Sequence, residues 1–127
     1  MGSGSSPNQK FFMATYDHLP VYKASYELLL EIFKFTRNFQ REYKYTIGEK
    51  LKNETVDMIT HIYRANSARV KTERIQQARE SLEVIRLYLR LLKDLNQIGL
   101  KRFVDINALI ETVSRQLCGW QKAQPHD

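Results

Sequence analysis

The chain has 127 residues, of which 43% are hydrophobic and 27% are charged, so it can pack one domain and is not disordered throughout. Twenty Lys and Arg residues against 14 Asp and Glu give a net charge of +6, which favours a polyanionic partner. A single cysteine, Cys118, excludes an intramolecular disulfide and a thiolate zinc site, and fits a reducing cytoplasm. No run of about 18 apolar residues occurs, so we expect neither a membrane span nor a membrane partner.

The domain boundaries follow from composition. Residues 1–17 are predicted to be an appended linker and a flexible N-terminal segment, because the chain opens with a run of Gly and Ser. Residues 18–122 are predicted to form one helical domain, and residues 123–127 a flexible tail. Gly and Pro are sparse, and no Asn-Gly or Asp-Gly hairpin signal occurs, which indicates an all-α fold.

The first predicted helix runs from about Pro20 to Gln40, with proline at the first helical position. At about 100° per residue, one face collects five apolar residues. They are Val21, Leu28, Ile32, Phe35 and Phe39. Further apolar residues, Tyr22, Tyr26, Leu29 and Phe33, make this face wider than a single packing stripe.

The second predicted helix starts near Ile47 and stops near Asn66 and Ser67. Thr46 at the N-cap and Glu49 three residues later predict a capping box. The apolar half of this helix comprises Ile47, Leu51, Met58, Ile59, Ile62 and Tyr63.

The third predicted helix runs from about Thr72 to Asn96 and is apolar around most of its circumference. A helix in a lone four-helix bundle buries only about a third of its surface. The apolar surplus therefore predicts contacts between subunits. The surplus residues belong to the set Leu82, Val84, Ile85, Leu87, Tyr88, Leu89, Leu91, Leu92 and Leu95.

The fourth predicted helix runs from about Leu100 to Trp120 and carries a narrower apolar stripe. That stripe comprises Phe103, Ile106, Leu109, Ile110, Val113, Leu117 and Trp120. Because the connections are short, about four to six residues each, neighbouring helices are predicted to be antiparallel. The predicted fold is thus an antiparallel up-down-up-down four-helix bundle that assembles as a homo-oligomer.

Motifs for catalysis are absent from the sequence. It contains no glycine-rich phosphate loop, no Gly-x-Ser-x-Gly and no His-Glu-x-x-His. Asp57 and His61 lie one helical turn apart, but two ligands are too few for a metal site, and a solvated pair is the simpler interpretation. We therefore predict no enzyme activity, no cofactor and no metal site.

Basic residues are better organised than the acidic ones. Residues 34–52 and residues 64–79 each carry a net charge of +4, at the first and second helix connections. A further stripe along the third helix combines Arg79, Arg86, Arg90 and Lys93 within about 60° of the helical wheel. The predicted nucleic-acid-binding residues are Arg37, Arg41, Lys44, Lys50, Lys52, Arg79, Arg86, Arg90 and Lys93.

Two of these features have alternative interpretations. The stripe on the third helix contacts phosphates, forms an exposed face beside Glu80 and Glu83, or forms salt bridges to a neighbouring subunit. Tyr43 and Tyr45, which alternate with basic residues, either stack on bases or cover the open end of the core.

Several sequence blocks resemble the accessory variability determinant (Avd) family of diversity-generating retroelements. The resemblance covers about residues 19–122. The blocks are Pro20-Val21-Tyr22-Lys23, Tyr26-x-Leu28-Leu29-Leu30, Tyr43-Lys44-Tyr45-Thr46-Ile47-Gly48-Glu49-Lys50-Leu51, Ala65-Asn66, Leu89-Arg90-Leu91, Asp94-Leu95 and Gln116-Leu117-Cys118-Gly119-Trp120.

The resemblance implies a four-helix bundle that assembles as a homopentamer with a basic outer surface. It implies an accessory protein without catalysis, which binds the reverse transcriptase and RNA or DNA in support of mutagenic retrohoming. The basic positions within the shared blocks are Arg41, Lys44, Lys50 and Arg90. Two alternatives are a related four-helix bundle protein of ribosomal RNA intervening sequences and a purely protein-binding helical oligomer.

Overall fold

The computed structural model describes residues 19–125, which contain helices and no strand. The all-α prediction is confirmed for this part of the chain. The helices are α1 (Pro20–Thr36), α2 (Arg41–Lys44), α3 (Ile47–Ser67), α4 (Thr72–Asp94) and α5 (Leu100–Lys122). The predicted linker and flexible segment, residues 1–17, lies outside the described residues, as do His18 and the last two residues of the predicted tail.

The four long helices pack as a bundle around one apolar core. Helix α1 packs against α3 and α5, and α4 packs against the same two helices, so the order around the bundle is α1, α3, α4, α5. All five residues of the predicted α1 core face are buried. The fully buried side chains are contributed by all four helices: Leu28, Ile32, Leu51, Met58, Ile62, Ile75, Leu82, Ile85, Leu89, Leu92, Ile110 and Leu117.

Helix α1 is shorter than predicted, and α2 was not predicted at all. The chain leaves the helix after Thr36 through two tight backbone turns, which keep Phe39 in the core. The backbone N–H of Gln40 then donates to the Gln97 side chain at 2.8 Å, on the α4–α5 connection. The prediction of a continuous helix to Gln40 was wrong, because the apolar pattern along one helix cannot show a contact between two connections that are distant in the sequence.

The predicted capping box at the start of α3 is also wrong. The Thr46 hydroxyl donates to the Glu42 carbonyl at 2.6 Å instead of accepting from the first turn of α3. Glu49 pairs with Lys52 at 2.6 Å instead of reaching back to Thr46. The short helix α2 accounts for the first difference, since its carbonyls lie immediately before Thr46 and accept the hydroxyl; the second is an ion pair within α3 itself.

The C-terminal end of α4 lies two residues earlier than predicted. Asn96 has a φ of 61°, the left-handed conformation that Asn tolerates better than most residues. The Asn96 N–H bonds the Lys93 carbonyl and the Gln97 N–H bonds the Leu92 carbonyl, which together form a Schellman motif. The bounds of α3 and α5 agree with the predicted bounds to within two residues.

The apolar surplus predicted for α4 is only partly inside the bundle. Leu82, Ile85, Leu89 and Leu92 are buried, whereas Leu87 lies largely in solvent. Leu91 is also exposed. Among residues 19–125, no helix is long and apolar enough to cross a membrane.

Candidate nucleic-acid interface

Four of the predicted cations lie on the segment from the end of α1 to the first turn of α3. We call Arg37, Arg41, Lys44 and Lys50 the basic corner. Arg37, Arg41 and Lys50 are exposed, and among residues 19–125 none of these three forms an ion pair. The corner therefore presents positive charge that no carboxylate of the described chain neutralises, which is the electrostatic feature a phosphate backbone requires.

Tyr45 adds an aromatic surface to the basic corner. Its ring is largely exposed, and the Lys44 ammonium lies 5.7 Å from the ring centroid. Tyr43 is half-buried against the bundle. Tyr43 thus fits the interpretation of a tyrosine that covers the core, whereas Tyr45 has a free face of the kind on which a base stacks.

Lys52 lines the same groove as Arg37 and Lys44 of the basic corner, but its charge is paired within the chain. It pairs with Glu49 at 2.6 Å, and its ammonium lies 5.2 Å from the Phe33 ring of α1. Two positions along a helix correspond to about 200°, so Lys50 and Lys52 project from nearly opposite sides of α3. Lys52 therefore belongs to the α1–α3 contact, where its charge is already partly compensated.

Three of the four cations on α4 reach across to α5. Arg79, Arg86 and Lys93 are spaced seven residues apart, so they share one side of the helix. Arg79 donates to the Gln121 side chain. Arg86 forms ion pairs with Glu83 at 3.2 Å and with Glu111 at 2.6 Å.

The remaining two cations of the α4 stripe differ in their surroundings. The Lys93 ammonium lies 5.4 Å from the Phe103 ring of α5. Arg90 is exposed and pairs with Asp94 within α4 at 3.4 Å. The described contacts of this stripe are thus mainly within the chain. Arg86 pairs with Glu83, as the second interpretation expects, whereas contact with phosphates or with a neighbouring subunit stays a prediction.

The second basic cluster contains a structural lysine that sequence reasoning missed. The Lys71 ammonium donates to the carbonyls of Ala65 at 3.0 Å, Asn66 at 2.9 Å and Ala68 at 2.8 Å. These carbonyls lie at the end of α3, where the helix supplies few further N–H donors (the Ala65 carbonyl also accepts from the Ala68 N–H at 3.2 Å), so a cation stabilises them. A lysine a few residues after a predicted helix end is the signal that indicates such a cap.

The Asp57–His61 pair has no metal-binding geometry. Among the described residues, no group of three or more His, Cys, Asp or Glu side chains is placed to hold a metal ion. Burial lowers the pKa of His61, and the positive charge of Arg74 lowers it further, while Asp57 raises it. The His61 Nδ1 atom is buried without a hydrogen-bond partner. Neutral imidazole is therefore favoured at this position.

Sequence reasoning also missed an apolar groove beside the basic corner. Leu30 and Phe33 of α1 are its apolar lining residues, and the groove has a volume of about 350 Å³. The other lining residues are basic, with one threonine: Lys34, Thr36, Arg37, Lys44 and Lys52. The broad apolar face predicted for α1 was the available signal, but it could not show which side stays uncovered.

Comparison with known proteins identifies a family for this chain. A search of curated proteins gave no match. The family model described as bAvd-like matches residues 20–124, which includes all of α1 to α5. The match covers most of the chain and confirms the resemblance to accessory variability determinants. The chain belongs to the bAvd-like family.

Proposed function

We propose that this protein is a non-catalytic accessory protein of a diversity-generating retroelement. It binds the reverse transcriptase together with template RNA or cDNA and supports mutagenic retrohoming in the cytoplasm. Membership of the bAvd-like family supports the accessory role. The observation that carries the nucleic-acid part is the basic corner, with three exposed cations that no described carboxylate pairs.

The basic corner acts through phosphates in this proposal. Arg37, Arg41 and Lys50 each contact the backbone as point charges, which carries no base sequence information. Tyr45 adds stacking on an unpaired base, which tolerates any sequence because every base has a flat face. The protein then holds RNA, DNA or a hybrid with little sequence preference.

The protein acts as an antiparallel up-down-up-down bundle assembled into a homo-oligomer, with five copies as the family resemblance implies. Arg79, near the start of α4, bonds Gln121 near the end of α5. Arg86, further along α4, pairs with Glu111, which lies earlier in α5. These two contacts support an antiparallel arrangement of α4 and α5. Several copies present several basic corners on one particle. Weak contacts then combine through effective concentration.

A salt titration tests the nucleic-acid part. The full-length protein is added to a fluorescent structured RNA and to an RNA–DNA hybrid at rising salt concentration. We expect binding at low salt that weakens linearly on a log–log scale as bound counterions are released. Absent binding at low salt, or an affinity that is independent of salt, would contradict the proposal.

A second candidate function is protein binding alone, which the apolar groove beside Leu30 and Phe33 favours, since exposed apolar patches commonly mark protein interfaces. Pull-down of the retroelement's reverse transcriptase with and without nuclease separates the two. Retention after nuclease treatment, by a protein that ignores nucleic acid on its own, supports this second function. Loss on nuclease treatment supports a nucleic-acid bridge.

A further inference from the structure

The apolar groove beside the basic corner combines flat apolar surface with positive charge. Its apolar lining residues, Leu30 and Phe33 of α1, are 43% and 45% exposed. Spacings of three and four residues place Leu30, Phe33 and Arg37 on one side of α1. Among residues 19–125, the other lining side chains are three lysines and one threonine, without a carboxylate: Lys34, Thr36, Lys44 and Lys52. The groove thus offers contacts to an apolar group and to an anion side by side.

The groove remains positive when its ion pairs are counted. Lys34 pairs with Glu31 at 3.5 Å, and Lys52 pairs with Glu49 at 2.6 Å. The other two lining cations, which belong to the basic corner, form no ion pair among residues 19–125. Two positive charges of the groove are therefore available to an anionic ligand.

Lys44 connects the groove to a second exposed ring. Its side chain lines the groove together with Phe33, and its ammonium lies 5.7 Å from the ring centroid of Tyr45, which is 61% exposed. Phe33 stays substantially exposed although the Lys52 ammonium lies 5.2 Å from its ring centroid. Aromatic rings that alternate with cations form the kind of surface on which successive bases of a single strand stack.

A single strand matches this surface better than a duplex or an apolar peptide does. Flat unpaired bases alternate with phosphates in a single strand, so one ligand contacts the rings and the cations together. A duplex presents phosphates and base edges, because its bases are paired and stacked on one another. It would contact Arg37 and Lys44 but leave Leu30 and Phe33 in water. An apolar peptide would cover these two residues and leave the two cations without a partner.

We infer that the groove is a base-binding subsite, which gives the basic corner a preference for single-stranded nucleic acid over duplex. One base packs against Leu30 and Phe33, and a neighbouring base stacks on Tyr45. The phosphates of these nucleotides contact Arg37 and Lys44. No base edge is read, so strands of any sequence fit. The inference rests on the nucleic-acid part of the proposed function, and it adds the class of strand and the residues that select it.

The subsite gives a role to apolar residues that phosphate contact alone leaves unexplained. Leu30 and Phe33 belong to the apolar surface of α1 that the bundle core does not use. Tyr45 is exposed, whereas Tyr43, which covers the core, is half-buried. The groove volume of about 350 Å³ lies in the range of about 300–1,000 Å³ that is typical of small-ligand pockets, so a flat base can enter it.

Two conservative variants of the full chain test the inference. Phe33→Leu and Tyr45→Leu each remove a flat ring and keep an apolar side chain and every charge. Tyr26→Leu is the matched control, because Tyr26 is 46% exposed on α1 and does not line the groove. All three positions are substantially exposed, so each variant should keep wild-type helical content by circular dichroism.

Fluorescence anisotropy at one low salt concentration gives the readout. The probes are an oligothymidylate of about 12 nucleotides, a blunt duplex of the same length, and an abasic strand that has the same phosphates and no bases. We expect the wild type to bind oligothymidylate more tightly than either other probe. Phe33→Leu and Tyr45→Leu should each weaken this binding about tenfold and leave the affinities for the duplex and the abasic strand unchanged. Tyr26→Leu should bind all three probes as the wild type does.

The contradicting outcomes separate the two levels of the proposal. A wild type that binds none of the probes at low salt would overturn the nucleic-acid part of the proposed function, and the inference with it. An abasic strand that the wild type binds as tightly as oligothymidylate would overturn the inference alone, and this comparison needs no variant. A Phe33→Leu variant with wild-type affinity for oligothymidylate would also overturn it. If that variant in addition lost the reverse transcriptase after nuclease treatment, the groove would be a protein-binding site.

Discussion

Lys71 should stabilise the end of α3 more than any surface ion pair of the bundle stabilises its own helix. In Lys71→Met the apolar stem remains and three charge-assisted hydrogen bonds, of 2.8–3.0 Å, are lost. One such bond contributes about 1.5–3 kcal/mol, but the freed carbonyls regain water because the site is only partly buried. A partly buried cation at a helix C-terminus contributes up to about 2 kcal/mol, so we expect a loss of about 2 kcal/mol.

Thermal unfolding followed by circular dichroism measures this loss. For a domain of this size the entropy of unfolding is about 0.2 kcal/mol per kelvin, so a loss of 2 kcal/mol lowers Tm by about 8–10 °C. All proteins are compared at one concentration, because assembly makes Tm depend on concentration.

Lys101→Met is the matched control for this measurement. It removes the same charge from a side chain that is 91% exposed and that, within residues 19–125, forms one ion pair, with Asp105 at 3.1 Å. An exposed pair of this kind contributes about 0.2–1 kcal/mol, so the control should lower Tm by a few degrees at most. If Lys71→Met melts no lower than Lys101→Met, the capping role of Lys71 is refuted.

Two further predictions concern Gly48 and His61 of α3. In Gly48→Ala a new Cβ would lie 3.0 Å from the Tyr43 carbonyl oxygen, so crowding at a cost of about 1–3 kcal/mol should exceed the gain of about 1 kcal/mol in helix propensity. Urea unfolding should show a lower free energy of unfolding for Gly48→Ala and a higher one for Gly119→Ala, whose new Cβ meets nothing within 4 Å. A higher free energy of unfolding for both variants would contradict the close contact at Gly48. Burial lowers the pKa of His61 below its ordinary value of 6.5, so its contribution to stability is complete above that pH and is lost as the pH falls through the lowered pKa. Between pH 7 and pH 5 the wild type should therefore lose more stability than His61→Gln, and equal losses would contradict this assignment.

Helical periodicity predicted most of the bundle because the core residues follow it closely. Val21, Leu28 and Ile32 lie on one face by spacing alone, and all three are buried. The prediction failed where contacts between connections decide the structure. Gln40 bonds Gln97, which is distant in sequence, and Thr46 bonds the carbonyl of a short helix that has no apolar period of its own.

The candidate site was predictable in its charge but not in its partners. Sequence alone placed Arg41 and Lys50 at the first corner, and both are exposed there. Sequence alone also grouped Lys52 with them. In the structure the Lys52 side chain lies beside α1 and pairs with Glu49, and its direction depends on how α3 packs against α1. Arg86 was predicted to contact phosphate, a solvated face or another subunit, and a partner on α5 of the same chain was not considered.

The most direct test of the proposed function compares the salt dependence of binding between variants of the basic corner. Arg41→Gln combined with Lys50→Gln removes two exposed cations, and Lys23→Gln combined with Arg115→Gln removes two exposed cations elsewhere. Each phosphate contact contributes about 0.7 to the slope of log K against log salt on a single strand and about 0.9 on duplex DNA. We predict that the corner variant loses about two contacts for each bound copy, while the control keeps the wild-type slope. A corner variant with the wild-type slope and affinity would contradict the assignment of nucleic-acid binding to this surface.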